Sequence, residues 1–193
     1  MKVLGISGGH RLGGNTDSLV SKALSACASR GAETDFVSLA GLDIRYCTDC
    51  GTCRQKFACT LDDDVFPILE RMREADALIV GTPTYFAQVS GRLKAFFDRT
   101  IPLRRNGMML SGKVGGAIAV GGSRNGGQEK AVAVILDWML LHEMLVVSDK
   151  KTAHFGGIAV GREPGDALKD DIGVATVVNL SEKIVETLVR LKK

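Results

Sequence analysis

Val3-Leu-Gly-Ile6 followed by Ser7-Gly-Gly-His-Arg-Leu-Gly-Gly-Asn-Thr16 is the stretch on which the fold turns. A short apolar run stops at a glycine-rich loop. Asn15, Thr16 and Asp17 then open a segment with apolar residues at 19, 20, 23, 24 and 27, which is helical spacing. Strand, loop and amphipathic helix therefore follow one another. Gly31 ends the helix and Phe36-Val-Ser-Leu39 reads as a second strand. Further along, Asp62-Asp-Asp64 forms a solvated start to a helix over Val65 to Glu74, and Ala75 to Gly81 is a buried strand stopping at Thr82-Pro83. Gly91 to Asp98 is the next helix. Val114 to Val120 is a fourth strand, ending in a second glycine loop, Gly121 to Gly127. A helix over Gln128 to His142, a fifth strand at Met144 to Val147 and an amphipathic helix over Ser181 to Lys193 complete the order.

Alternating strands and helices imply right-handed crossovers and a parallel sheet covered on both faces. The prediction is an α/β, doubly wound, five-stranded parallel sheet in a three-layer sandwich, forming a single domain over residues 1–193. Ligands of such sheets bind beyond the carboxyl ends of the strands, where strand order reverses. Three loops with distinctive chemistry leave those ends: 7–15, 82–86 and 121–128.

The 25 Lys and Arg against 22 Asp and Glu leave a formal charge of +3, and the basic residues are scattered. This gives no electrostatic footprint for nucleic acid, and 5% aromatic content argues against a base-stacking surface. No apolar run approaches membrane-spanning length, and the apolar run near Met1 is too short for a signal-peptide core. The expectation is a cytoplasmic protein with reduced thiols.

Glycines for close backbone approach, polar side chains, Arg11 and a helix N-terminus make the first loop a site for one phosphate monoester. An ordinary glycine turn before a capped helix is the alternative. The loop lacks the Lys-Ser or Lys-Thr of a P-loop and does not match the Gly-x-Gly-x-x-Gly turn. Thr82-Pro-Thr-Tyr-Phe86 places aromatic rings beside polar backbone, and Gly121-Gly-Ser-Arg-Asn-Gly-Gly127 offers closely spaced N–H donors for a heterocycle. Phosphate, ring and donor loops at one edge describe a mononucleotide such as FMN.

Four of five cysteines fall in Cys47-Thr-Asp-Cys50-Gly-Thr-Cys53 and Cys59, the spacing C-x2-C-x2-C-x5-C. Two-residue gaps let thiolates converge on a cubane, and the first three positions match bacterial ferredoxin runs. Structural zinc and a redox dithiol are the competing readings. Cys27 lies on the apolar face of the first helix, as a small core residue does.

Through Gly5-Ile-Ser-Gly8, the cysteine run, Pro83 to Arg99, Val120 to Lys130 and His154-Phe-Gly-Gly157, the chain resembles the iron-sulfur flavoproteins. These are a branch of the flavodoxin-like NAD(P)H:FMN-reductase group. The resemblance implies a flavodoxin-like fold, FMN and a [4Fe–4S] cluster held by Cys47, Cys50, Cys53 and Cys59. It implies that Ser7, Arg11, Asn15 and Thr16 hold the FMN phosphate, with Gly14 beside them. Pro83, Thr84, Tyr85 and Phe86 would flank the isoalloxazine, and Gly121, Gly122, Ser123 and Gly127 would line its polar edge. One departure stands out: the family usually reads Gly-Ser-Pro-Arg where this chain has Gly8-Gly9-His10-Arg11.

The expected function is thus a flavin-dependent oxidoreductase moving electrons between a one-electron, ferredoxin-like donor and two-electron acceptors. Arg99, Arg104 and Arg105 form a candidate docking surface for that donor, with a solvated basic helix end as the alternative. No catalytic side chain stands out. The alternatives are an NAD(P)H-dependent FMN or quinone reductase, whose cysteines bind zinc or nothing, and a non-enzymatic electron carrier. Ala131 to Leu141 is apolar nearly all round, more than one sheet-facing face requires. With the resemblance, this predicts a homodimer or homotetramer in which the cluster of one subunit serves the FMN of another.

Overall fold

The computed structural model describes residues 1–192. Six strands and six helices occur in the order β1 (Lys2–Ser7), α1 (Asn15–Ala28), β2 (Glu33–Ser38), α2 (Val65–Glu74), β3 (Ala77–Pro83), α3 (Gly91–Asp98), α4 (Ile101–Arg105), β4 (Val114–Gly121), α5 (Gln128–Leu141), β5 (Leu145–Val146), β6 (Gly157–Val160) and α6 (Asp171–Leu191). All pairings are parallel, and the spatial order is β2-β1-β3-β4-β5, with β6 also on β4. This is the predicted flavodoxin-like, doubly wound sheet, with the cysteine segment between β2 and α2.

Alternate residues of the central strands face opposite helix layers, as the two-residue pleat requires. Leu4, Ile6, Leu78, Val80 and Ala117 pack under α2, α3 and α5 through Ile68, Met72, Leu93, Phe96 and Ile135. Val3, Ala77, Ile79, Val114 and Ile118 pack on the other face against Leu19 and Val20 of α1 and Leu180 and Ile184 of α6. Cys27 is fully buried in that second layer, and burial pushes its thiol up to about 11.

The fifth sheet position differs from the prediction. Leu145 and Val146 pair with Val114 and Gly115, the chain leaves the sheet for residues 147–156, and Gly157–Val160 return to pair with Ile118–Gly121. His154 lies in this excursion, where its Nδ1 is 2.8 Å from the Thr152 hydroxyl. C-terminal helix α6 begins ten residues earlier than the sequence pattern suggests, at Asp171, capped by the Asp170 carboxylate, which accepts from the Gly173 amide. Its early turns carry Gly173, Thr176 and Asn179, which dilute the apolar pattern although all three are buried.

Candidate functional site

The carboxyl ends of β1, β3 and β4 are joined by hydrogen bonds that also shape the loops beyond them. The Gly8 amide donates to the Gly81 carbonyl at 2.8 Å, and the Ser90 hydroxyl donates to the Gly8 carbonyl at 2.6 Å while capping α3 through the Leu93 amide. The Thr84 amide donates to the Val120 carbonyl at 2.8 Å. The first loop is thereby fixed to the second, and the second to β4.

Between these loops lies a cavity of about 300 Å3 lined by Gly9, His10, Arg11 and Gly14 to Thr16 of the first loop and helix start, by Pro83, Thr84 and Tyr85, by Val120, Gly121 and Gly122, and by Gly161 and Arg162. Of the residues expected at a flavin site, Arg11, Gly14, Asn15, Thr16, Pro83, Thr84, Tyr85, Gly121 and Gly122 meet here. Ser7, Phe86, Ser123 and Gly127 are not part of the wall. Ser7 is fully buried, its hydroxyl accepting from the Gly9 amide at 3.4 Å. Phe86 stands fully in solvent at φ +49°, and the Ser123 carbonyl accepts from the Gln128 side chain. Gly127 precedes α5 at φ +95°.

Three features suit the cavity to a phosphorylated flavin. Helix α1 has no side-chain cap at Gly14, so its first amides remain available to an anion. The Thr84 hydroxyl oxygen is buried without a hydrogen-bond partner among the described residues, and the polar edge of a ligand in the cavity would satisfy it. The His10 ring meets Tyr85 edge-on at 5.4 Å, which steadies the aromatic wall. The residues present fit FMN.

Sequence reasoning missed Gly161 and Arg162 because nothing local to them signals a site. They follow β6, which was not visible as an element. Asn15 is also used differently from the expectation: its side-chain amide donates to the Glu163 carbonyl at 2.9 Å and its oxygen accepts from the Ala167 amide at 3.2 Å.

The cysteine segment requires a correction. Cys47, Cys50, Cys53 and Cys59 border one small concavity, yet no group of three or more His, Cys, Asp or Glu among the described residues is placed to hold a metal ion. The chain around Cys53 forms a 3-10 turn, Thr52–Arg54, entered through Gly51 at φ +83°. Each sulfur is engaged by the protein instead. The Asp49 amide donates to Cys47, Cys50 pairs with the Thr52 and Thr60 hydroxyls, Arg105 donates to Cys53 at 3.0 Å, and Arg99 donates to Cys59 at 3.4 Å. The Thr60 hydroxyl, aided by Thr52, pulls the exposed Cys50 thiol down to about 7. These residues do not fit a [4Fe–4S] cluster, so the cluster, the ferredoxin-type one-electron route and the transfer between subunits are withdrawn. The basic docking surface goes with them, since Arg99 is buried and Arg105 faces Cys53.

Comparison with known proteins agrees with the fold and with a flavin-binding family. The family model described as NADPH-dependent FMN reductase matches residues 1–156. An iron-sulfur flavoprotein of Methanocaldococcus jannaschii is 50% identical over the whole of both chains. The chain belongs to the iron-sulfur flavoproteins of the NADPH-dependent FMN reductase family. A second such flavoprotein, from Methanosarcina thermophila, is 43% identical over 100% of this chain and 98% of its own. Among solved structures, a flavone reductase superposes with a TM-score of 0.74 at 24% identity, covering 100% of this chain and 64% of that one, a likeness of fold. This flavoprotein is a flavin-dependent oxidoreductase. The iron–sulfur group in the relatives' names is a statement about those proteins; here the cysteines have the partners described above. No helix among the described residues is long and apolar enough to cross a membrane.

Proposed function

We propose that this flavoprotein is an NAD(P)H-dependent reductase that holds FMN at the carboxyl edge of β1, β3 and β4 and passes electrons to a two-electron acceptor of the FMN or quinone class. The observation that carries this reading is one cavity combining an uncapped helix N-terminus, Arg11, the unpartnered Thr84 hydroxyl and Tyr85. Bound FMN supplies the hydride chemistry, and the protein supplies position and electrostatics. Thr16, Arg11 and the first amides of α1 hold the phosphate. Gly14 lets the backbone approach it. Thr84 donates to the polar edge of the ring system, Pro83 and Tyr85 cover its face, and Gly121 and Gly122 leave room for its other edge. Ser7 and Gly127 act from behind the wall by shaping the loops. Five unpaired cysteines suit a reducing cytoplasm.

The test is an anaerobic titration of purified holoprotein with NADPH and NADH, with iron, acid-labile sulfide and FMN quantified on the same sample. The expected result is one FMN per chain, bleached by reduced nicotinamide and reoxidised by a quinone, without broad absorbance beyond that of flavin. Stoichiometric iron and sulfide, or flavin that no reduced nicotinamide bleaches, would overturn it.

We also propose that the chain self-associates through α5 and β5, where Leu140, Leu141 and Leu145 lie exposed beside one another in sequence. Light scattering is expected to give at least a dimer at micromolar concentration, and Leu140→Glu with Leu141→Glu to give a monomer. A monomeric wild type would remove the idea.

A further inference from the structure

The flavin reading draws on one guanidinium, Arg11 of the first loop. A second, Arg162, enters the same cavity from the segment after β6, beyond the residues that the family model matches. We propose that Arg162 reads the phosphate monoester of the bound flavin, so that this site selects a phosphorylated flavin over one without phosphate. The proposal rests on the flavin reading and adds a ligand-selecting residue to it.

Charge balance supports it first. No carboxylate and no lysine line the cavity, so its permanent charges are Arg11 and Arg162. Neither guanidinium forms an ion pair with a carboxylate among the described residues. Arg11 Nη2 donates to the Arg162 carbonyl at 3.3 Å, and Arg162 Nε donates to the Gly122 carbonyl at 2.8 Å. The terminal nitrogens of Arg162 have no hydrogen-bond acceptor among the described residues. Two like charges facing one cavity without a counter-charge favour an anion there, and planar N–H forks match phosphate oxygens.

The segment carrying Arg162 is also held firmly. On its upstream side the Gly161 amide donates to the Gly121 carbonyl at 2.9 Å. Downstream, Asn15 grips Glu163 and Ala167 through both ends of its side-chain amide. Beyond that, Asp170 accepts from the Val160 amide at 2.8 Å and from Arg124 of the third loop at 2.8 Å. Asn15 is therefore a positioning residue: it fixes the strap that carries the guanidinium.

The test titrates apoprotein with FMN and, separately, with riboflavin, following quenching of flavin fluorescence in the wild type, Arg162→Ala and Arg162→Lys. Arg162→Ala is expected to weaken FMN about 30-fold, the range for losing a charge-assisted contact, and to leave riboflavin within about twofold. Arg162→Lys should recover part of the FMN affinity by restoring the charge without the fork. Equal weakening of both flavins would assign Arg162 a merely structural role and overturn the proposal. So would unchanged affinity for both, or a KM for NADPH that rises relative to NADH while FMN affinity holds, which would give Arg162 to the reductant. A wild type that binds neither flavin would instead fail the flavin reading itself.

Discussion

Asp63→Ala is expected to cost about 3 kcal/mol of folding stability, more than any single surface charge in the chain. The Asp63 and Arg99 side chains are 0% and 2% exposed. Arg99 donates to both Asp63 oxygens, at 2.5 and 3.0 Å, to the Arg45 carbonyl at 2.8 Å, and to Cys59. One guanidinium thus ties both ends of the cysteine segment to the end of α3. Removing the carboxylate leaves a buried cation without its partner, whereas removing both charges at once avoids that penalty. Urea unfolding should show the loss in Asp63→Ala and recovery of most of it in Asp63→Ala with Arg99→Met. A loss below about 1 kcal/mol for the single variant would place the pair in solvent-like surroundings. Acid gives a second readout. Burial pushes the Asp63 carboxyl up, but hydrogen bonds from Arg99 and from the Arg45 and Val65 amides outweigh it and hold the group below the usual carboxylate range. A folded pKa below the unfolded one means that the stabilisation is complete above the unfolded value, about 3.9, and disappears as pH falls through the lower folded value. The wild type should therefore lose its advantage over Asp63→Ala only below about pH 4.

The same residue shows what a linear reading leaves out. Asp62, Asp63 and Asp64 look alike in sequence, as a solvated helix start, and only the arrival of α3 decides that Asp63 is buried against Arg99. The parallel, doubly wound sheet, by contrast, was legible, because short apolar runs such as Val3–Ile6 alternate along the chain with helical spacing such as that from Leu19 to Cys27, while its flavodoxin-like strand order came with the family resemblance. Fifth-strand residues Leu145 and Val146 are too few, and the 147–156 excursion too polar, for β6 to be recognised as their continuation. The first-loop wall of the cavity was readable because its glycines, Arg11 and helix start are contiguous. Arg162 was not, since it reaches the site only through the β4–β6 pairing and the Asn15 bonds. The cysteine spacing was misleading for a related reason. Two-residue gaps are compatible with a cluster, a zinc knuckle or a 3-10 turn, and distant Arg99 and Arg105 decide what the sulfurs meet.

Gly127→Val is expected to release bound FMN, with affinity falling at least about 100-fold, although Gly127 does not line the cavity. Gly127 sits at φ +95°, a conformation that a β-branched residue enters at a cost of roughly 1–2 kcal/mol. A Cβ there would lie 2.7 Å from Ala87 Cβ and 2.9 Å from Ala87 Cα. The Ala87 side is not free to yield cheaply. Phe86 and Ala87 already hold φ of +49° and +61°, and the turn is closed by paired backbone hydrogen bonds between Tyr85 and Gln88 at 3.0 and 2.8 Å. The third loop and the Pro83–Gln88 turn are therefore pressed together at this glycine. A valine forces them apart, carrying Tyr85 and Thr84 away from the positions at which they meet a ring system. The sheet and its two apolar layers lie below this contact, so far-ultraviolet circular dichroism should stay close to wild type while flavin is lost on gel filtration. Gly127→Ala, with the same φ penalty and the same Cβ but no branches, should lose less. If Gly127→Val retained FMN at wild-type affinity, the two loops would have to be independent, and the flavin wall would owe its shape to β3 and β4 alone.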